Sequence, residues 1–110
     1  MSKSKQKGTR AENNVVAYLK EDFPYVERRA LAGVNDKGDV AGIPGVVIEI
    51  KDHAKITLSE WLRELEQEMM NADADTGVVI AKKRGTLDVG NWYAVMPVSV
   101  WVSLLKSAGY

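Results

Sequence analysis

The sequence has no cysteine, and His53 is its single histidine. A disulfide framework and a thiolate zinc site are therefore excluded, and one histidine alone cannot build a histidine-rich metal site. Any bound metal must be held mainly by oxygen atoms. No run of about 18 apolar residues is present to span a bilayer, and no apolar stretch follows the basic, polar N-terminus to make a secretory signal. We expect a soluble protein that acts inside the cell, without a membrane partner.

The formal net charge is zero, whereas binding to nucleic acid normally requires a positive surface. The charges are unevenly distributed, however, with acidic residues concentrated between residues 60 and 75. If the basic groups converge on one face and the acidic stretch lies on another, a neutral protein can still present a DNA-binding surface. Ordinary solvated charge is the alternative interpretation. The basic groups are Lys3, Lys5, Lys7 and Arg10, then Arg28 and Arg29, then Lys82, Lys83 and Arg84.

The length of 110 residues and an apolar content of 45% suit one compact domain. Residues 1–8 are predicted to be a flexible basic tail, and residues 9–110 a single domain. The periodicity predicts an α/β fold with a central mixed β-sheet flanked by helices, in the order αβββαββα. The predicted helices cover about 9–21, 57–72 and 97 onward, and the predicted strands cover 25–30, 39–41, 46–51, 77–81 and 92–96.

Two carboxylates and an amine are predicted to meet in a hairpin that turns near Pro44. The turn places Asp39 roughly opposite Glu49, and the alternation of side chains along a strand puts Glu49 and Lys51 on one face. Two close carboxylates repel each other unless a cation lies between them, and Mg²⁺ prefers oxygen ligands. A metal with a lysine beside it suits phosphodiester hydrolysis. The alternative is that Glu49 and Lys51 are ordinary residues on the solvent face of a strand.

Glu12 adds a third acid to this pattern. It is in helical register with Val15, Val16 and Leu19, on the side predicted to face the core, where a carboxylate is unfavourable unless something positive meets it. A carboxylate near the metal could hold a water molecule in place. The alternative is that Glu12 only completes a capping box with Thr9.

Four short motifs in this order resemble those of the archaeal and phage Holliday-junction resolvases, which belong to the PD-(D/E)xK nuclease superfamily. The later stretches GVVIAKKRG at 77–85 and NWYAVMP at 91–97 look especially like short phage members. The resemblance covers nearly the whole chain. One departure is Gly38, which stands where the superfamily's name has proline. The four motifs are KGTRAE at 7–12, VERRALAG at 26–33, GDVAG at 38–42 and IEIK at 48–51.

The resemblance implies a restriction-endonuclease-like core and a homodimer that makes paired, Mg²⁺-dependent nicks in a four-way DNA junction, with Mn²⁺ expected to substitute. Asp39 and Glu49 would be direct metal ligands, the backbone carbonyl of Ile50 a third, and Glu12 a ligand through water. Lys51 would be the catalytic lysine. No small-molecule cofactor is expected, and the location would be the cytoplasm, or the host cytoplasm for a phage protein. The basic positions that would lie near DNA phosphate are Lys7, Arg10, Arg28 and Arg29.

Other residues leave alternatives open. Lys82, Lys83 and Arg84 lie in a predicted turn that suits phosphate binding or solubility equally, and His53 is either exposed or in contact with DNA. The three tryptophans, Trp61, Trp92 and Trp101, lie in apolar patterns typical of a core or a dimer interface. Two rival functions remain: another PD-(D/E)xK nuclease that cuts duplex or branched DNA, and a DNA-binding module without catalysis.

Overall fold

The structure, a computed structural model, describes residues 3–29 and 35–110, apart from the side chains of residues 3–5. Within these ranges, none of the helices combines the length and the apolar character needed to cross a membrane. The predicted end of the first strand at Ala30 lies outside the described residues. The elements are α1 (Lys3–Leu19), β1 (Glu27–Arg28), β2 (Val40–Ala41), β3 (Val46–Lys51), α2 (Leu58–Ala72), β4 (Thr76–Ala81), β5 (Tyr93–Val95) and α3 (Val98–Ser107).

The predicted α/β class and the element order are confirmed, and the strands form one mixed sheet in the order β1-β2-β3-β4-β5. Strands β3 and β4 are parallel, and the other neighbouring pairs are antiparallel. A parallel pair needs a crossover connection, and α2 supplies it between β3 and β4. The carboxyl ends of β3 and β4 therefore lie at the same edge of the sheet, where Lys82 N donates to Lys51 O over 2.9 Å.

Two apolar clusters lie on opposite faces of the sheet, because side chains alternate along β3. On one face, Ile48 and Ile50 pack with Val15 of α1. On the other face, Val47 packs with Trp61 and Leu65 of α2. Glu49 and Lys51 follow Val47 in this alternation, so their side chains lie on the α2 face of the strand.

The N-termini of two helices differ from the sequence pattern, one in its position and the other in its capping. Helix α1 begins at Lys3, so Thr9 lies inside the helix and cannot cap it, and the capping-box interpretation of Glu12 is wrong. Thr57 does precede α2 but makes no side-chain capping hydrogen bond. The division into a tail and a nuclease domain stays a prediction.

Two of the three tryptophans are buried in the core, as the apolar patterns predict, whereas Trp101 is not. Trp61 belongs to the cluster on the α2 face and Trp92 to the cluster on the α1 face. Helix α3 buries only Val100 among its residues and leaves Trp101 exposed. Trp101 therefore remains available to an interface.

Candidate metal centre and adjoining clefts

The β2–β3 hairpin places Asp39 opposite Glu49, as its sequence predicts. Val40 pairs with Ile48 in the antiparallel register, and Asp39 N donates to Ile48 O over 2.8 Å. The Asp39 carboxylate is fixed in addition, because its Oδ2 accepts from Ile50 N at 2.8 Å. Backbone groups on β3 thus hold Asp39 beside Glu49, and only one of its oxygens is occupied by that bond.

Gly38 explains the departure from proline at this position. Its φ of 98° lies in the left-handed region, which proline cannot adopt because its ring fixes φ near −65°. A Cβ at Gly38 would lie 2.9 Å from the carbonyl oxygen of Ile48. Gly38 N also donates to Asp36 Oδ1 over 2.8 Å, a bond that proline could not make. The loop that leads to Asp39 therefore requires glycine at this position.

An acidic triad lies on the α2 side of Glu49. Carboxylate oxygens of Asp36, Glu49 and Glu68 lie within 4.8 Å of one another. Glu49 and Glu68 are only 6% and 4% exposed. Oxygen Oε1 of each is buried and has no hydrogen-bond partner among the described residues. Buried polar atoms are rarely left unpaired, and a hard cation prefers carboxylate oxygens, so these side chains could hold a metal ion.

Burial and mutual repulsion raise the pKa values of two of these acids. Desolvation raises the pKa of Glu49 to about 11, and the neighbouring acidic groups of Asp39 and Glu68 act in the same direction. Desolvation also raises the pKa of Glu68 to about 7, aided by the charge of Asp36. Without a cation, the site therefore retains a proton at neutral pH, and a divalent ion would replace it.

Glu68 and Asp36 were not among the residues predicted from the sequence, and the condition that the acidic stretch lies on a separate face is not met by Glu68. The reason is helical spacing: Glu68 follows Leu65 by three residues and Trp61 by seven, so it shares their buried face. This signal was present in the sequence. Asp36 had no comparable signal, because it lies in the loop before β2 and is held there by Asn71, whose side chain donates to its carbonyl.

Lys51 lies between two acids. Its Nζ is 2.7 Å from Glu64 Oε2 and 3.8 Å from Glu49 Oε2. Burial lowers the pKa of Lys51, but the hydrogen bond to Glu64 and the charge of Glu49 outweigh it, and the net pKa is raised. Lys51 therefore carries a positive charge at neutral pH. Glu64 is a second acid of α2 that faces the site and that was not among the residues predicted from the sequence.

One cleft of about 450 Å³ brings together the four residues predicted to be catalytic, and the predicted ligand Ile50 also lines it. Glu12 reaches it from α1 and also accepts a hydrogen bond from Arg28 Nε at 3.0 Å. Burial raises the pKa of Glu12, against the opposing effect of Arg28. The structure thus assembles the predicted residues, while their catalytic roles stay predictions. The four are Glu12, Asp39, Glu49 and Lys51.

The basic residues predicted to bind DNA do not form one group. Lys7 lines the cleft of about 450 Å³ described above, which we call the acidic cleft. Arg29 lines a separate cleft beside the β2–β3 turn. Arg10 is exposed on α1 and belongs to neither cleft. A neighbouring cleft of about 270 Å³ shares Lys51 and His53 with the acidic one. The cluster after β4, Lys82, Lys83 and Arg84, lines that neighbouring cleft.

Comparisons with known proteins found no matching family model, no similar curated protein and no similar solved structure. The fold and the acidic site therefore rest on the geometry given above, and the family resemblance rests on the motifs alone.

Proposed function

We propose that this chain is a metal-dependent endodeoxyribonuclease of the PD-(D/E)xK type that acts on four-way DNA junctions as a homodimer. The observation that supports this most is the convergence of Glu12, Asp39, Glu49 and Lys51 on one cleft. Three acids with one lysine are the parts that metal-assisted phosphodiester hydrolysis requires. A non-catalytic DNA-binding module would have no use for buried carboxylates that are costly to fold.

The donor set fits a hard divalent cation. The unpartnered, buried Oε1 atom of Glu49 lacks the positive partner that such a group needs. Asp39 and Glu49 would hold Mg²⁺ directly, with the carbonyl of Ile50 and, through water, Glu12 completing its surroundings. Mn²⁺ should substitute, because it accepts the same oxygen ligands. When bound, the ion supplies positive charge against the phosphate and lowers the pKa of a water molecule.

The protein groups have separate tasks in the hydrolysis. Water attacks phosphorus, the bond from phosphorus to the leaving sugar oxygen breaks, and that oxygen takes a proton from solvent. Glu12, whose pKa is raised, would orient the attacking water and receive its proton. Lys51 is charged and steadies the negative charge that grows on the phosphate oxygens. Glu64 accepts a hydrogen bond from the lysine amine at 2.7 Å and so fixes its position.

Junction cutting requires two cuts at symmetric positions, and two-fold symmetry supplies the second site. The exposed apolar residues of α3 offer a surface for this. Val98 is 73% exposed and Trp101 51%, and their spacing of three residues puts them on one side of the helix.

The test compares purified protein on a labelled four-way junction and on a linear duplex of matching sequence, with and without Mg²⁺. Paired nicks confined to the junction and dependent on Mg²⁺ are expected. Comparable cutting of the duplex would replace junction resolution by general duplex cleavage, and binding without any cutting would overturn the nuclease proposal.

A further inference from the structure

Asp52, which was not among the predicted site residues, is surrounded by cations from separate parts of the chain. It directly follows β3, and its side chain is only 3% exposed. Its Oδ1 lies 3.4 Å from Lys7 of α1 and 3.9 Å from Arg84, and its Oδ2 lies 3.8 Å from Lys82. The two latter residues follow β4. One carboxylate thus lies at the centre of three positive charges that the sequence separates widely.

The distances indicate that the cations keep hydrogen-bonding capacity for another anion. Charge-assisted hydrogen bonds are typically about 2.7–2.9 Å long, and all three contacts are longer. Oδ2 of Asp52 has no hydrogen-bond partner among the described residues. Three positive charges against one negative charge leave a surplus of positive charge, so Asp52 reduces the repulsion among the cations without neutralising them.

The cluster lies between the two clefts. Lys7 and Asp52 line the acidic cleft, while Lys82 and Arg84 line its neighbour. Asp52 follows the carboxyl end of β3, and Lys82 and Arg84 follow the carboxyl end of the parallel strand β4. Ligands commonly bind at this edge of α/β sheets. Lys82 is further positioned by the ring of Trp92, whose centroid lies 5.9 Å from its Nζ. An extended anion that enters the acidic cleft would therefore cross this cluster on its way to the next cleft.

We propose that Asp52 is a positioning residue that gathers Lys7, Lys82 and Arg84 into a subsite for a backbone phosphate next to the phosphate that is cut. This inference rests on the proposed nuclease function, since it takes nucleic acid as the polyanion. The subsite would fix the strand relative to the acidic cleft through a phosphate contact, which carries no sequence information.

The decisive measurement is whether Asp52→Asn strengthens or weakens DNA binding. Asp52→Asn removes a negative charge, so a purely electrostatic account predicts tighter DNA binding. The positioning role predicts weaker binding, because the freed cations repel one another and spread into solvent. The matched control is Asp75→Asn, which makes the same charge change at an exposed residue at the opposite end of β4.

Binding of a labelled four-way junction is measured in EDTA, so that no strand is cut, over a series of salt concentrations. Asp52→Asn should bind about tenfold more weakly than the parent, and the slope of log K against log salt should flatten by about one unit, as for the loss of one phosphate contact. Asp52→Glu should restore the parental slope, which a general loss of structure would not explain. Parental or tighter binding by Asp52→Asn, with the parental slope, would overturn the proposal.

A second pair of variants keeps the test valid if Asp52→Asn fails to fold. Arg84 is exposed, so Arg84→Gln should fold; it should weaken binding and flatten the slope, whereas Lys20→Gln, at an exposed residue directly after α1, should do neither. Equal effects of these two variants would also overturn the proposal. Failure of the nuclease function gives a different result: the parent binds DNA with this pattern but does not cut it when Mg²⁺ is added.

Discussion

Glu49 is shared between two acidic neighbours, Asp39 in the hairpin and Glu68 on α2. Its burial makes the charged form unfavourable, and its folded-state pKa of about 11 lies far above its ordinary value of 4.5. Folding therefore takes up a proton over the pH range between these values. The resulting stabilisation is complete below the unfolded pKa and is lost as pH rises toward the folded pKa.

In EDTA, the protein should accordingly be more stable at about pH 6 than at about pH 9. Glu49→Gln keeps the size of the side chain but cannot ionise, so it should flatten this dependence and raise the free energy of unfolding at the higher pH by on the order of 1–3 kcal/mol. Urea unfolding at both pH values measures the effect. Glu60→Gln, at an exposed glutamate of α2, should leave the dependence intact. An unchanged pH dependence in Glu49→Gln would contradict the buried-acid account.

The ligands of the metal can be separated by calorimetry with Mg²⁺ or Mn²⁺. Asp39→Asn should abolish most of the binding heat, since it removes one of the two proposed direct ligands. Glu68→Gln should weaken metal binding less than Asp39→Asn does if Glu68 is only a neighbour of Glu49. It should weaken binding as much as Asp39→Asn does if the ion lies within the triad with Asp36. Unchanged binding in Asp39→Asn would place the metal elsewhere.

Lys51 is expected to act in chemistry more than in DNA affinity, because its amine faces Glu49 and Glu64 and not open solvent. Lys51→Ala should reduce the cutting rate by about 10²–10³, the usual effect of losing one charge-stabilising donor. The affinity for the junction should fall by less than it does when a salt-sensitive phosphate contact is lost. The comparison is between single-turnover cutting and binding in EDTA. An equal fall in affinity and rate would make Lys51 a phosphate anchor instead.

Helices and strands with strong periodicity were predicted from the sequence, whereas site residues that tertiary contacts hold in place were missed. The register of Val40 with Ile48 followed from one turn and the alternation of apolar residues, and β3 was predicted with its observed bounds. Glu68 was predictable in principle, because its spacing from Leu65 matches a buried face. Asp36 was not, since a loop residue receives its place from partners distant in sequence, here Asn71.

The loop before β2 gives a test of this element. Gly38→Pro would restore the residue of the superfamily's name but conflicts with a φ of 98° and removes the donor to Asp36. It should lower the free energy of unfolding by about 3 kcal/mol or more. Gly45→Ala is the control, because Gly45 also has positive φ but no atom lies within 4 Å of the place that a Cβ would occupy, so it isolates the effect of φ alone. A Gly38→Pro protein as stable as Gly45→Ala would contradict this account of the loop before β2.

The main apolar surface that the fold leaves uncovered among the described residues lies on α3. The periodicity of this helix fitted both a core and an interface, and a sequence cannot separate these, because both bury the same side chains. The described residues bury only Val100 of this helix. Val98, Trp101 and Leu104 remain exposed, and exposed large apolar groups in such proximity are typical of surfaces that contact another protein.

We therefore expect dimerisation through α3, and Trp101→Lys should produce a monomer. A tryptophan at the centre of an interface commonly contributes about 2 kcal/mol or more to binding, and a buried lysine adds a desolvation cost, so the dissociation constant should rise by about 30-fold or more. Sedimentation equilibrium measures the change. Tyr25→Lys places the same charge at another exposed aromatic residue, outside α3, and should remain dimeric.

The monomer keeps a complete acidic cleft, because Glu12, Asp39, Glu49 and Lys51 all come from one chain. It should therefore still nick one strand of a junction, while paired nicks become rare at protein concentrations where the parent makes them. A parent protein that sediments as a monomer, or a Trp101→Lys variant that still makes paired nicks, would remove α3 from the mechanism.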